Sequence, residues 1–222
     1  MKIDVSDRRS FKIATDISVE YLDANILREK KLFDEALASI PKTLAESILT
    51  IKSASAIRLA LASKIVLKRF YAANFNGDSS DVFDQIVKHQ SNKPYILNSD
   101  IHFNISHSKD LVVIAWGHMP LGIDIERNRE CNYKVASKVF SPCEQNMVIE
   151  DPTLFTKIWT LKESYIKAAS KELKPKPLEF CVCEHLGRKT KCNCEHGIAD
   201  NFCYIDVQQR DGYCTSLCCR LN

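Results

Sequence analysis

The stretch Leu121-Gly122-Ile123-Asp124-Ile125-Glu126 decides how the chain is read. Its odd positions are apolar and its even positions small or acidic, which is the period of two expected of a strand with one buried face. Side chains two apart share a face, so Asp124 and Glu126 present two carboxylates side by side. Working upstream, Ile101, Phe103 and Ile105 alternate with His102, Asn104 and Ser106, and Leu111-Val112-Val113-Ile114-Ala115-Trp116 reads as a buried strand paired with them. Gly117 to Pro120 is the turn leading into the acidic strand. Further upstream, Leu44, Ile48 and Ile51, then Ile57, Leu61, Ile65, Val66 and Phe70, recur at helical spacing and predict two helices. Asn76 to Ser80 is a loop, Asp81 to Gln90 a short element, and Pro94 opens extended structure by disfavouring helix at the residue before it.

Downstream, Ser141-Pro142-Cys143-Glu144 carries a capping box with proline at the first helical position. Asp151-Pro152 repeats the cap-then-proline signal ahead of a helix that runs to about Lys171 and ends at Pro175 and Pro177. The tail predicts two hairpins, Phe180 to Glu184 with Lys191 to Glu195 around Gly187, and Phe202 to Gln208 with Tyr213 to Arg220 around Asp211-Gly212. Helices mixed with mostly antiparallel strands make the fold class α+β.

The chain has 222 residues, enough for one large domain or two small packed ones, and a mixed composition with 45% apolar residues that excludes a disordered or collagen-like chain. The net charge is only +3 and no basic run stands out, so no footprint for duplex DNA is present. The apolar run at 111–116 is too short for a membrane span, which needs roughly twenty residues. The first thirty residues carry Asp4, Asp7, Asp16, Glu20 and Asp23 and lack the apolar core of a signal peptide, so a cytoplasmic location is expected. Eight of the ten cysteines follow Lys176 and read as thiols or metal ligands rather than a disulfide frame. Cys181-x-Cys183 and Cys192-x-Cys194 would face each other across the first tail hairpin. Four sulfurs there would suit zinc, although structural zinc ligands more often show a Cys-x₂₋₄-Cys spacing, and small buried thiols would look the same.

Paired carboxylates such as Asp124 and Glu126 suit a magnesium ion, which prefers hard oxygen ligands and keeps positions open for water and phosphate. A solvated strand face would carry the same pair. In Trp159-Thr160-Leu161-Lys162-Glu163-Ser164-Tyr165-Ile166-Lys167, residues Trp159, Glu163 and Lys167 align on one side of a helix beside an apolar stripe. Glu163 there would complete a metal site, with Lys162 and Lys167 meeting phosphate oxygens, or Glu163 and Lys167 would be an ordinary helix pair. His107 lies between Ser106 and Ser108 near a strand end, where it would bind phosphate, shuttle protons or simply face solvent.

Taken in order, Asn92-Lys93-Pro94, Phe103 to Ser108, Gly122 to Glu126 and Trp159 to Lys167 resemble the 4'-phosphopantetheinyl transferases, specifically the larger surfactin-synthetase-activating (Sfp) type. The likeness covers Lys93 to Lys167 well, the helix with Arg58 more weakly, and the tail only in its hairpin pattern. It implies a pseudo-dimer of two similar α+β halves, at 1–119 and 120–222, with coenzyme A and magnesium bound between them. The implied reaction moves the phosphopantetheine arm of coenzyme A to a serine of an apo acyl, peptidyl or aryl carrier protein, releasing 3',5'-ADP. By the same resemblance Asp124, Glu126 and Glu163 would hold Mg2+. Lys93, Ser106 and His107 would meet coenzyme A, Pro94 would shape the adenine pocket, and Lys52 and Arg58 would add cationic contacts. Lys162 and Lys167 would steady the diphosphate and pantetheine end, and Glu144 would lie near the cleft. Glu163, or a water held by the metal, is the candidate acceptor for the serine proton. Asn92 stands where the family usually has glycine, a replacement a left-handed turn tolerates.

Two other classes fit parts of this pattern. A non-catalytic module binding carrier protein or coenzyme A would show binding without 3',5'-ADP release, and a metal-dependent nuclease would release nucleotides from single-stranded DNA. The intact acidic and lysine residues speak against the first, and the lack of a basic, aromatic groove against the second. A monomer acting on coenzyme A and a carrier protein, with no nucleic acid and no membrane, is the expectation.

Overall fold

Strand β5 is apolar at every position from Leu111 to Trp116, because it lies between two cores. A computed structural model of the chain describes residues 17–88, 93–173, 175–186 and 197–221. Its elements are β1 (Ser18–Asp23), α1 (Lys30–Ala38), α2 (Lys42–Leu49), α3 (Ala54–Asn74), α4 (Val82–Gln85), β2 (Ile86–Lys88), β3 (Pro94–Ile96), β4 (His102–Ser108), β5 (Leu111–Gly117), β6 (Leu121–Arg127), α5 (Tyr133–Val139), α6 (Pro142–Glu150), α7 (Leu154–Leu173), β7 (Phe202–Ile205) and β8 (Tyr213–Arg220), with short 3-10 turns at Ala24–Arg28, Ser79–Asp81, Pro177–Glu179 and Cys183–Leu186. Mixed helices and antiparallel sheets confirm the α+β class.

The strands form an antiparallel sheet in the order β1-β5-β4, a second in the order β6-β8-β7, and the small pair β2-β3. Val112 and Ile114 of β5 point into the first core with Leu61, Val66 and Phe70 of α3. Leu111, Val113 and Ala115 point the other way, against Leu121, Ile123 and Ile125 of β6 and Leu217 of β8. A third core lies between the second sheet and α7, built on Phe155, Ile158, Leu161 and Tyr165. One strand thus belongs to two cores, which is why its sequence shows no alternation.

The helix starts follow their local chemistry. The Ser53 side chain accepts from the Ala56 amide at the start of α3, and the Asn132 side chain caps α5. At α6 the capping box is complete: Ser141 Oγ accepts from the Glu144 amide, and Glu144 Oε2 accepts from the Ser141 amide at 2.8 Å. The β4–β5 turn holds Lys109 at φ 54°, a left-handed residue that is not glycine, whereas Gly212 supplies φ 73° just before β8, as Asp211-Gly212 predicts.

The first predicted tail hairpin is corrected by the structure. Phe180 to Glu184 is not a strand, and Cys183–Leu186 is a 3-10 turn. The cause is a buried ion pair. Glu144 is fully buried and receives Lys162 Nζ at 2.9 and 2.7 Å. Glu144 Oε1 also accepts from the Val182 amide at 2.8 Å, while Lys162 Nζ donates to the Phe180 carbonyl at 2.7 Å and lies 4.3 Å from its ring centroid. Backbone groups that a hairpin ladder would use are committed to this pair instead. Residues 191–195, the other arm, lie outside the described residues, as does Asn92. In the second hairpin only Phe202–Ile205 pairs with β8, so its first arm stops short of Gln208.

Strand β6 and helix α7 meet at Gly122. A Cβ built there would lie 2.3 Å from the Ser164 carbonyl oxygen and 2.4 Å from the Ala168 nitrogen, both backbone atoms that cannot step aside. Gly122→Ala is therefore expected to destabilise the fold by about 1–3 kcal/mol through overpacking, read as a lowered urea midpoint. Glu144→Ala would strand the Lys162 ammonium in the core, and a loss of roughly 3–5 kcal/mol is expected in the same measurement.

Candidate active site

The close β6–α7 approach sets two carboxylates of a strand against the side chains of a helix. Asp124 is 5% exposed and its Oδ1 receives Lys167 Nζ at 2.5 Å and Ser106 Oγ at 2.8 Å. Lys167 Nζ also donates to Ser106 Oγ at 3.1 Å and to the Ile123 carbonyl at 3.2 Å. Glu126 Oε2 accepts from Ser108 Oγ at 2.8 Å. Glu163 stands one turn before Lys167, near enough that the charge of Asp124, and to a lesser degree that of Glu126, opposes its ionisation.

The electrostatics are those of crowded acids. Burial pushes the Asp124 carboxyl above its ordinary range, and Lys167 and the Ser106 hydroxyl pull it part of the way back. Glu163 is also raised, by burial first and by the charge of Asp124 second. Lys93 is a half-buried cation whose Nζ donates to the Leu121 and Lys167 carbonyls, each at 2.8 Å. Burial, and then the Lys167 charge, push its ammonium down to about 8.

The residues fit a divalent cation. Asp124 Oδ2 is buried and accepts no hydrogen bond, a costly state for a carboxylate oxygen unless a cation answers it. Its neighbours Glu126 and Glu163 supply further hard oxygens, the donor set that magnesium takes. Asp124, Glu126 and Glu163 would hold such an ion.

Other expected residues lie in different places. His107 is exposed on the face of β4 opposite Ser106, the face on which Phe103 stacks against Phe70 of α3 with ring centroids 4.8 Å apart. Pro94 opens β3. Lys52 is exposed between α2 and α3, and Arg58, in the first turns of α3, lines a cavity of about 320 Å³ together with Arg28, Leu27, Phe33, Ala54 and Ile57. Two expectations are corrected. Lys162, 2% exposed, is sealed in the core against Glu144 and the Phe180 carbonyl, out of a diphosphate's reach. Glu144 is sealed in that same pair rather than at a cleft.

The sequence reading assigned Ser106 to coenzyme A and gave no role to Asn104 and Ser108, which help to hold the site together. Asn104, Ser106 and Ser108 share one face of β4, and all three reach β6. Asn104 Oδ1 accepts from the Ile123 amide at 2.9 Å, and Ser108 Oγ accepts from the Arg127 amide at 3.1 Å while donating to Glu126. The signal was visible as three short polar residues at a spacing of two. Gly122 is the other omission, and only the helix packed on it shows why a side chain is excluded there. Trp159 joins the third core, with the Arg129 guanidinium 5.5 Å from its ring centroid and 5.1 Å from that of Phe155.

Comparison with known proteins places most of the chain in one family. Residues 120–218 match the family model described as the 4'-phosphopantetheinyl transferase superfamily, and residues 28–118 match the 4'-phosphopantetheinyl transferase N-terminal model. The 4'-phosphopantetheinyl transferase gsp of Aneurinibacillus migulanus is 44% identical over 38% of this chain and 37% of its own length. The 4'-phosphopantetheinyl transferase Sfp of Bacillus subtilis is 29% identical over 71% of this chain and 72% of its own. The L-aminoadipate-semialdehyde dehydrogenase-phosphopantetheinyl transferase of Schizosaccharomyces pombe is 24% identical over 58% of each. The chain spans little more than a third of the first of these relatives in the matched region and about seven tenths of the second. With both halves matched by models of one family, and with the acidic strand and lysine helix brought together, the chain belongs to the 4'-phosphopantetheinyl transferase superfamily, of the Sfp type.

Proposed function

We propose that this chain transfers the 4'-phosphopantetheine arm of coenzyme A to a serine hydroxyl of an apo carrier protein, releasing 3',5'-ADP, in a magnesium-dependent reaction. The observation that carries this reading is the pairing of Asp124 with Lys167 at the β6–α7 contact, within electrostatic reach of Glu163, with one buried carboxylate oxygen of Asp124 unanswered. When bound, magnesium supplies positive charge to the diphosphate oxygens on which charge develops.

The chain's own residues do the rest. Lys167 is anchored by Asp124, Ser106 and the Ile123 carbonyl, so its ammonium is fixed before substrate arrives. Such a fixed charge favours the transition state without reorganising. The serine oxygen attacks the β-phosphorus of the diphosphate, the bond from that phosphorus to 3',5'-ADP breaks, and the serine proton passes to Glu163. Lys93, Ser106 and His107 serve the coenzyme A side, with Pro94 beside the adenine, and Lys52 and Arg58 add positive charge from the first half. The division at 119/120 separates a half that grips the nucleotide from a half that holds the metal. Because one chain supplies both, the enzyme acts as a monomer. This reading places the enzyme in the cytoplasm.

Incubation with coenzyme A, Mg2+ and a panel of apo carrier proteins is expected to add one phosphopantetheine mass to at least one carrier, and Asp124→Ala is expected to abolish the gain. A folded chain that binds coenzyme A yet modifies no carrier would sink the assignment.

A second prediction follows from the raised Glu163 pKa. A carboxyl whose folded pKa lies above its unfolded value destabilises the fold once pH rises through the folded value, and acidification restores that stability. In chelator, Glu163→Gln is expected to melt a few degrees above the unsubstituted chain at neutral pH. The gap should close as pH falls through the raised Glu163 pKa, and added Mg2+ should narrow it at neutral pH. Thermal melts across pH, with and without Mg2+, check both.

A further inference from the structure

A second cluster of metal-ligating side chains lies apart from the carboxylates. Cys143 Sγ is 3.0 Å from Cys183 Sγ, Cys183 Sγ is 3.0 Å from Cys181 Sγ, and the three sulfurs all lie within 4.8 Å of one another. Cys143 is the second residue of α6, whereas Cys181 and Cys183 come from the segment after α7. The sequence pairs Cys181 and Cys183 with Cys192 and Cys194, which lie outside the described residues. Cys143 is the partner it does not suggest.

We propose that Cys143, Cys181 and Cys183 bind a zinc ion that ties the start of α6 to the segment following α7. Thiolates are the donors zinc favours in structural sites. Zinc–sulfur bonds of about 2.3 Å in a tetrahedron set sulfurs roughly 3.8 Å apart, so sulfurs lying between 3.0 and 4.8 Å need only small side-chain adjustments to receive the ion.

The site is built before the ion arrives. Glu144 and Lys162 pin the Phe180 carbonyl and the Val182 amide, so the loop bearing both cysteines is held against α6 by bonds that involve no sulfur. The Cys183 amide points at Cys181 Sγ at 3.4 Å, the amide-to-sulfur contact that steadies a thiolate ligand. The Lys162 ammonium lies close enough to Cys181 and Cys183 to feel their charge, and the amide end of α6 lies beside Cys143. Met147, Leu154 and Leu186 close the cluster with apolar groups. Without a cation, the hydrogen bond with the Cys181 sulfur, and then burial and Cys143, hold the Cys183 thiol far above its usual range. On binding, three S–H protons and the waters that the sulfurs displace from the ion leave to solvent, three Zn–S bonds form, and a retained water fills the fourth position, with no change of oxidation state.

The test is metal content. The full chain, purified under reducing conditions without chelator or metal-affinity resin, is expected to carry about one zinc per chain by plasma mass spectrometry. Cys143→Ser and Cys183→Ser are each expected to lower that content at least severalfold. Cobalt in place of zinc should give a sulfur-to-metal charge-transfer band that the Cys183→Ser chain lacks. If the substituted chains do not fold, the cobalt spectrum and zinc content of the unsubstituted chain decide alone. A chain that retains no zinc after incubation with excess zinc and gel filtration overturns the proposal. So does an intact mass, taken without reductant, that is short by the two hydrogens of a disulfide and maps to these cysteines.

Discussion

The arrangement depends on one contact without side chains, the place where α7 lies on β6 at Gly122. The helix comes so near the strand that a single methyl group would collide with the Ser164 carbonyl and the Ala168 amide. That proximity gives Lys167 its reach to Asp124 and to the Ile123 carbonyl, and sets Glu163 beside the acidic strand. Active-site geometry here is a consequence of helix-on-sheet packing at its tightest point.

Charge balance explains the rest of the centre. Asp124 is too buried to ionise easily, and Lys167 with Ser106 offsets only part of the penalty. Glu163 adds a second acid to the same neighbourhood, and the charge of Asp124 further opposes its ionisation. Proteins often give up stability at functional sites in this way. The Glu144–Lys162 pair shows the opposite economy: both charges are sealed, every Lys162 bond is spoken for, and the reward is a fixed loop.

The parts legible in the sequence are those governed by local rules. The alternation of 121–126, the apolar run of β5, the capping box at Ser141 and the left-handed Gly212 each depend on a few neighbouring residues, and the structure has them all. Strand and helix periodicity state which of the acidic and lysine side chains share a face, whereas their roles came from the resemblance alone. What was not legible is set by distant partners. Lys162 and Lys167 are both lysines on one helix, and only the tertiary neighbours separate a structural cation from one at the site. Phe180 to Glu184 has a strand's composition, but a glutamate nearly forty residues earlier captures its backbone. Cys143 joined the sulfur cluster through the same tertiary closure.

The row Asn104, Ser106 and Ser108 has a meaning beyond positioning. Among the described residues strand β6 pairs with β8 on one side only, and an unpaired margin is an open invitation to a stranger's strand. Two of the amides on that margin are already engaged by the side chains of Asn104 and Ser108. At those two positions the margin keeps no free donor with which an incoming strand could extend the ladder.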